Sequence, residues 1–421
     1  MRNFSLTPIF FVELIYLLVP ITLVFSKAIA EIFLLIIIVY FLINSLKKKK
    51  YEYYKNNLFI FFLIFCLYLI SVSFVKNENI PNSVLFYFRF GLFSIATWFL
   101  LDNSKKLIKK IMISIFLTCS LVTIDALVQY FVGYNILGYG YLGEGSRLSG
   151  FFGDELILGS YLSRLAPIFI LQLILFTKLQ QNKKIFSISI FSIVLFLFSF
   201  VIFLTGERTA FLYFIFTVIF FVFLVKSKII SYYIISIVLC SFILLFLSGE
   251  TRLVKTTALQ LKYSIDKTDE KIKLKKLENI PIAHFHHWKS TYLMAKANPF
   301  FGVGPRMFRE ECKNLKYYVP GGCSSHPHNF YFQLFGEAGI FGFLFLTSFF
   351  LFTLKVIINN FKRVSSKLFE NHLMISCSIF CSFLNFFPFL PNGNFFNNWI
   401  NMITFFTIGI FLYANKRNAN D

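Results

Sequence analysis

Twelve apolar runs of about twenty residues each constrain this chain more than any other feature. A run of this length crosses the hydrocarbon core of a bilayer as an α-helix, in which every backbone N–H and C=O group is paired. Hydrophobic residues make up 57% of the chain and charged residues only 14%, far below the charged fraction of soluble domains. We therefore predict an all-α polytopic membrane protein, which excludes a soluble enzyme, a disordered chain and a disulfide-stapled secreted domain. The runs lie at 7–25, 29–46, 57–75, 84–101, 111–132, 156–177, 185–204, 209–225, 229–248, 334–356, 371–388 and 397–414.

Lysine and arginine cluster in every second loop between these runs. Because loops rich in Lys and Arg remain in the cytoplasm, we predict about 12 transmembrane helices with both termini inside. This arrangement accounts for most of the net charge of +21, so the basic residues are expected to contact membrane lipids rather than nucleic acid. The clusters lie at 47–55, 105–110, 178–184, 226–228, 355–367 and 416–417.

A single long loop, residues 249–330, interrupts the pattern on the predicted outer side. It divides the chain into nine helices at 1–248, the loop itself, and three helices with a cytoplasmic tail at 331–421. Long loops are exempt from the charge rule, so the basic residues of this loop do not contradict the orientation. Within the loop, residues 285–297 read as a helix that the following Asn-Pro pair ends.

Two cysteines, Cys312 and Cys323, lie outside the predicted spans and share the outer loop. Disulfide bonds persist in that oxidising compartment, so we predict that these two cysteines pair. The other five cysteines lie within predicted spans and are interpreted as packing residues.

His326 and His328 directly precede the tenth run, at the predicted membrane surface. Three interpretations stay open: a zinc pair, a structural histidine satisfied by Asn329 or the backbone, and a general base. The general base is favoured, because imidazole accepts protons near neutral pH. The spacing fits no standard zinc site and no acidic ligand lies nearby. Further zinc ligands would be His284, His286 and His287.

Three arginines, Arg89, Arg164 and Arg208, lie in or at the ends of predicted spans. A cation inside a bilayer is costly and usually functional. Arg208 stands in the tight outer turn LTGERTAFL, where a guanidinium can bind phosphate oxygens bidentately. The turn therefore predicts binding of a lipid-linked phosphate or diphosphate. A local pair with Glu207 and contact with a phospholipid stay open as alternatives.

A glycine-rich outer segment, residues 146–167, leads into the sixth predicted span. It carries Arg147 and Glu155, with Arg164 one to two turns deeper, and is predicted to form a second polar site. Glu155 could instead favour the N-terminus of the helix. Further basic residues of the long loop are Arg252, Arg306 and Arg309.

Four motifs follow one another along the outer side: T-G-E-R-T-A-F at 205–211, N-P-F-F-G-V-G-P at 298–305, H-P-H-N-F-Y-F-Q-L-F-G-E-A-G-I-F-G at 326–342 and F-P-F-L-P-N-G-N-F-F-N-N-W at 387–399. In this order they resemble the O-antigen ligase and polymerase superfamily of bacterial inner membranes. Its members share the number of spans and the large periplasmic loop before the third-last span. The resemblance therefore covers essentially the whole chain.

The resemblance implies a metal-independent, inverting glycosyltransferase that uses no cofactor. Such enzymes move a glycan from undecaprenyl diphosphate to an acceptor at the periplasmic face of the inner membrane. In ligases the acceptor is a sugar hydroxyl of lipid A–core. Carried over position by position, Arg208 corresponds to the arginine that grips the donor diphosphate and His328 to the histidine proposed as base. The absence of an Asp-x-Asp motif also favours the metal-free route.

The resemblance also implies a second donor-binding arginine in the long loop. Relatives carry arginine four residues before the loop tryptophan, Trp288, where this chain has His284. We expect a substitute for that arginine among Arg252, Arg306 and Arg309. Residues expected to support the site are Arg147, Glu155, Arg164, His284, His326 and Asn329.

Other functions stay open on the sequence alone. An O-antigen polymerase would use the same donor with a second lipid-linked glycan as acceptor, and a protein O-glycosylating ligase shares the plan. A transporter of lipid-linked glycans would show internal repeats and polar residues at mid-depth. The polar residues of this chain gather at one face instead, which favours an enzyme over a transporter or a structural scaffold.

Overall fold

Helices account for 78% of the described chain, as the continuous apolar runs predict. The computed structural model describes residues 8–76, 80–104, 106–141, 147–179, 184–225, 228–248, 284–363 and 369–420. Within these ranges there are two 3₁₀ turns, Tyr51–Tyr53 and Gly150–Phe152, and no β-strand. The α-helices are α1 (Pro8–Phe25), α2 (Lys27–Lys47), α3 (Asn57–Lys76), α4 (Asn82–Leu85), α5 (Arg89–Asn103), α6 (Leu107–Val132), α7 (Leu158–Leu179), α8 (Lys184–Leu204), α9 (Arg208–Leu224), α10 (Lys228–Ser248), α11 (Phe285–Ala297), α12 (Phe308–Glu311), α13 (Phe330–Arg363), α14 (Phe369–Asn385) and α15 (Asn398–Asn420).

Each predicted apolar run contains a helix. In the described residues, eight helical segments are long and apolar enough to cross a membrane by length and composition, and parts of α9, α10 and α14 form shorter apolar helices. The all-α membrane architecture is therefore confirmed, while the count of twelve spans and their orientation stay predictions. The division of the chain at 249 and 330 also stays a prediction, since residues 249–283 lie outside the described ranges.

The structure departs from the predicted runs at two places. The fourth run is split, because the backbone N–H groups of Tyr87, Arg89 and Phe90 bond to carbonyls three residues back rather than four, which tightens the chain between α4 and α5. The tenth run is longer than expected and kinks at Gly339, whose φ is 65°. An added Cβ there would lie 2.2 Å from the carbonyl oxygen of Phe300. The long loop therefore packs directly against the kink in α13.

Helix α7 lies at the centre of the bundle. It packs against α6, α8, α9 and α14, while α15 packs against α5 and α14. The window of α7 that is long enough to span a bilayer is 83% buried, compared with 39% for α3. Large apolar side chains on α3, such as Leu67 and Phe74, are exposed. This is the distribution expected when lipid rather than protein covers the outer helices.

Loops that the predicted topology places outside contact one another. The first of them supplies Lys27, which pairs with Glu155 of the segment before α7. The long loop supplies Arg306, whose Nη1 donates to Ser83 Oγ at 2.7 Å. The indole Nε1 of Trp399 donates to the carbonyl of Leu23 at 3.0 Å. These contacts bring the predicted outer loops together at one end of the bundle.

The basic loops meet at the other ends of the same helices. Asp102 accepts hydrogen bonds there from Tyr53 OH at 2.9 Å and from Lys416 Nζ at 3.1 Å. Lys50 Nζ donates to Asn103 Oδ1 at 3.1 Å. The two sets of loops are thus segregated, which is the arrangement that the alternation of charge predicts.

Candidate active site

The turn between α8 and α9 is fixed against the start of α7. Glu207 is buried, and its carboxylate accepts hydrogen bonds from Gly159 N at 3.0 Å and from Ser160 Oγ at 2.9 Å. A negative group is favourable at this helix N-terminus. Gly159 permits the close approach, since a Cβ there would lie 2.5 Å from Thr205 Oγ1. The motif glycine, Gly206, turns the chain with a φ of 64°.

Arginines at two positions offset the buried charge of Glu207. Burial raises the pKa of this carboxyl, while the hydrogen bond from Ser160 and the positive charges of Arg147 and Arg164 act in the opposite direction. Arg147 therefore lies close enough to Glu207 to stabilise its ionised form. The structure thus places Arg147 and Arg164 beside the turn, on the side of α7.

Arg208 remains available for another partner. It is the first residue of α9 and is exposed, and its guanidinium makes no hydrogen bond or ion pair with the residues that the structure describes. The alternative of a local pair is wrong, because the carboxylate of Glu207 bonds to α7 instead. A guanidinium held by a rigid turn with its donors unused is suited to bind an anionic oxygen cluster such as a diphosphate.

Arg164, by contrast, is fully committed to protein contacts. It is 2% exposed, with Nε donating to Asn385 Oδ1 at 2.5 Å and Nη2 to Asn392 Oδ1 at 2.8 Å. Its Nη1 donates to the carbonyl of Ser160 at 3.1 Å, and its guanidinium lies 5.2 Å from the ring centroid of Tyr213. Arg164 therefore joins α7 to the α14–α15 connection, residues 386–397, and positions that connection.

We expect Arg164→Ala to destabilise the protein. The change removes three charge-assisted hydrogen bonds and leaves the buried Oδ1 of Asn385 without a donor, which costs roughly 1.5–3 kcal/mol. The measurement is the thermal unfolding midpoint of the purified protein in detergent. A matched change at the exposed Arg309 should leave that midpoint unchanged, and an unchanged midpoint for Arg164→Ala would show that the buried contacts contribute little.

The α14–α15 connection lies between Arg208 and His328. On one side, Thr209 Oγ1 donates to the carbonyl of Pro391 at 3.4 Å. On the other side, Asn392 N donates to the carbonyl of His328 at 2.8 Å. The turn that carries Arg208 and the motif that carries His328 therefore contact consecutive residues of one short segment. The structure brings the two predicted site residues to the same end of the bundle.

Asn329 holds the backbone beside His328. Its Oδ1 accepts from Tyr331 N at 2.9 Å and from Phe332 N at 3.2 Å, which caps the first turn of α13. Its Nδ2 donates to the carbonyl of Pro388 at 2.8 Å. His328 itself has a φ of 57°, in the left-handed region that few residues adopt without compensating contacts. Asn329 is thus a positioning residue.

Three histidines gather around His328. The ring centroid of His328 lies 4.1 Å from that of His326, 4.4 Å from that of His284 and 5.5 Å from that of His287. His284 and His287 are one helical turn apart at the start of α11. His286 is not part of this group, and its ring centroid lies 5.9 Å from that of Phe285. We call His284, His287, His326 and His328 the histidine cluster.

Backbone contacts tie the two segments of the histidine cluster together. His287 Nδ1 lies 2.9 Å from the carbonyl oxygen of Gly322, and Trp288 Nε1 donates to the carbonyl of Pro327 at 2.9 Å. The segment before the cluster is closed by a disulfide between Cys312 and Cys323, with Cα atoms 5.3 Å apart. Helix α11 is confirmed at the predicted position, and its first turn is held against residues 322–328.

Burial keeps two imidazoles of the cluster, those of His326 and His328, neutral. Burial, followed by the charges of His326, His284 and His287, lowers the pKa of His328 to about 3. Burial is also the main cause that lowers the pKa of His326 to about 4. Both rings therefore present a lone pair at neutral pH. A bound anion would raise these pKa values, which would make a ring a stronger proton acceptor.

The loop arginines have different surroundings. Arg306 is exposed with a φ of 66°, and its backbone N–H donates to Glu337 Oε2 at 2.9 Å while its guanidinium contacts α4. Arg309 is exposed on α12. Arg252 lies outside the described residues. Glu155 is exposed and paired with Lys27 rather than facing the turn at Arg208.

Arg89 also has a partner, which explains its place at the membrane. Its Nη2 lies 3.2 Å from Glu31 Oε1 and 2.9 Å from Asn398 Oδ1. Since both contacts join α5 to neighbouring helices, Arg89 has a structural role in the described chain.

Sequence reasoning missed a buried network on α13. Glu337 is 1% exposed and accepts hydrogen bonds from the backbone N–H groups of Arg306 and Phe308, at 2.9 Å and 3.1 Å. Gln333 Nε2 donates to Glu337 Oε2 at 3.1 Å and to Asn394 Oδ1 at 3.2 Å. The network connects the loop of Arg306 to the α14–α15 connection. An acidic residue in an apolar run was the available signal.

The fold is that of a multi-pass membrane protein with a polar site formed where the loops of one end meet. Residues 193–347 match the model of a family described as O-antigen ligase. This match confirms the resemblance to the O-antigen ligase and polymerase superfamily. It includes both Arg208 and the histidine cluster, which are the residues that the motifs single out. No curated protein matches the chain.

Proposed function

We propose that the protein is an inner-membrane glycosyltransferase of the ligase type. It transfers an O-antigen or related glycan from undecaprenyl diphosphate to a sugar hydroxyl of lipid A–core at the periplasmic face. The observation that carries the proposal is the placement of two residues on either side of one segment: Arg208, which makes no bond to the described residues, and the neutral His328. Thr209 bonds to Pro391 of that segment, and Asn392 bonds to His328.

Arg208 binds the donor in this proposal. Its unused guanidinium donors face the diphosphate oxygens, on which negative charge grows as the glycosidic C–O bond breaks. A fixed cation at that place stabilises the departing undecaprenyl diphosphate more than the intact donor, which lowers the barrier. Arg306 is the favoured second contact among the loop arginines, because Glu337 fixes its backbone while most of its guanidinium donors stay unused.

His328 acts as the base. The acceptor hydroxyl gives its proton to the neutral imidazole while its oxygen attacks the anomeric carbon, and the bond electrons leave with the diphosphate. Attack from the face opposite the leaving group inverts the anomeric centre. The negative donor raises the low pKa of His328, so the base gains strength only when the donor is bound. The reaction needs no metal in this proposal.

A deletion strain tests the ligase assignment. We expect the strain to lose every glycan-capped form of lipid A–core and to accumulate the lipid-linked polymer, and the wild-type chain should restore the capped forms. The lipopolysaccharide is separated by gel electrophoresis and the lipid-linked fraction is extracted separately. Core that carries a single repeat unit would identify a polymerase instead. An unchanged lipopolysaccharide would contradict both activities.

A further inference from the structure

Three imidazoles of the histidine cluster have the geometry of a metal site. His284, His287 and His328 each offer one ring nitrogen, and these three atoms all lie within 4.8 Å of one another. Two of the rings come from the first turn of α11 and the third from the segment before α13, so the site joins two parts of the long loop.

We propose that His284, His287 and His328 bind a divalent transition-metal ion of the zinc type. The inference is separate from the proposed transfer reaction. Of these three histidines, that reaction uses only His328, and it needs no metal. It also departs from the sequence, where the histidine spacing favours a base over a zinc site.

Hydrogen bonds around the rings support this assignment. A carbonyl oxygen can only accept, so the contact between His287 Nδ1 and the carbonyl of Gly322 places the proton on Nδ1 and leaves the Nε2 lone pair for a metal. His284 Nδ1 is buried and has no hydrogen-bond partner among the described residues. A buried polar atom without a partner is unusual, and an ion would supply one.

The donor set selects the kind of ion. Three imidazoles, with no carboxylate beside them among the described residues, suit zinc and its neighbours in the first transition series, whereas magnesium and calcium prefer oxygen ligands. The ring centroid of His326, the remaining member of the histidine cluster, lies 4.1 Å from that of His328.

Binding has a consequence for the proposed reaction. A metal ion on His328 occupies the lone pair that would accept the acceptor's proton. The metal-bound form is therefore the inactive form, and a chelator should leave transfer intact. This consequence rests on the proposed function, whereas the site itself does not.

The test is a direct binding measurement on the purified full chain in detergent. After dialysis against chelator, Zn²⁺ is titrated in competition with a chromophoric chelator, in the absence of donor and acceptor. We expect one saturable site whose affinity falls by at least about tenfold in His284→Ala and in His287→Gln. His286→Ala is the matched control, since His286 lies on the same helix but outside the cluster, and it should bind as the wild type does.

Three results would overturn the site: no saturable binding, wild-type affinity in both cluster variants, or an equal loss in His286→Ala. The metal-free unfolding midpoint of each variant is compared with that of the wild type, so that a folding defect is recognised. A transfer assay separates the two proposals. Zinc binding without loss of transfer would reject His328 as the base and keep the metal site. Transfer without zinc binding would reject only the metal site.

Discussion

Arg208→Ala is expected to lower glycan transfer by about 10²–10³-fold, the cost of removing one preorganised donor to a developing charge. The guanidinium is exposed and makes no bond to the described protein, so its loss should not affect folding. The measurement is the release of undecaprenyl diphosphate by purified enzyme given lipid-linked donor and lipid A–core.

Two controls separate the role of the planar guanidinium donors from that of the positive charge. Arg208→Lys keeps the charge without the planar donors, so it should recover only part of the activity. Lys296→Ala removes an exposed cation from the last turn of α11 and should leave activity unchanged. Full activity of Arg208→Ala, with expression equal to that of the wild type, would reject the donor site.

His328→Asn is expected to lower the same activity by about 10²–10⁴-fold, the usual contribution of a general base. Asparagine is the sharper replacement than alanine, because it tolerates the positive φ of this position better. The loss should fall on turnover while donor binding, measured separately with labelled lipid, stays close to that of the wild type.

His286→Ala serves as the matched control for the base. It removes a neighbouring loop imidazole that lies away from the histidine cluster, so transfer should continue. If His328→Asn and His286→Ala lost activity equally, the effect would reflect a disturbed loop rather than a lost base. If His328→Asn kept full activity, the acceptor would have to be deprotonated by another group.

The sequence predicts the helices and the two ends of the bundle well, because both follow from local patterns. Apolar runs and Lys-rich loops are each read over about twenty residues, and the helix at Phe285–Ala297 follows from its own composition and its stop signal. The turn before Arg208 is equally local, since a three-residue connection between two helices, 205–207, leaves the arginine that follows it little choice of depth.

The sequence does not predict which polar residues pair across the fold. Arg164 is expected to line the site, yet its guanidinium donates to Asn385 and Asn392, which lie more than 200 residues further along the sequence. His284 replaces an expected arginine and stacks on His328, a contact that depends on how α11 docks. Such pairings arise from the packing of distant helices, and no local period in the chain records them.

The α14–α15 connection has a mechanical implication. The carbonyl of Pro391 accepts from Thr209, next to Arg208, and the N–H of Asn392 donates to the carbonyl of His328. Two consecutive residues therefore contact the segments that carry the proposed donor-binding residue and the proposed base. If the bundle flexes, we expect Arg208 and His328 to move together. In the proposed reaction, the distance between the departing diphosphate and the attacking hydroxyl would then stay constant while the lipid tails of the substrates move.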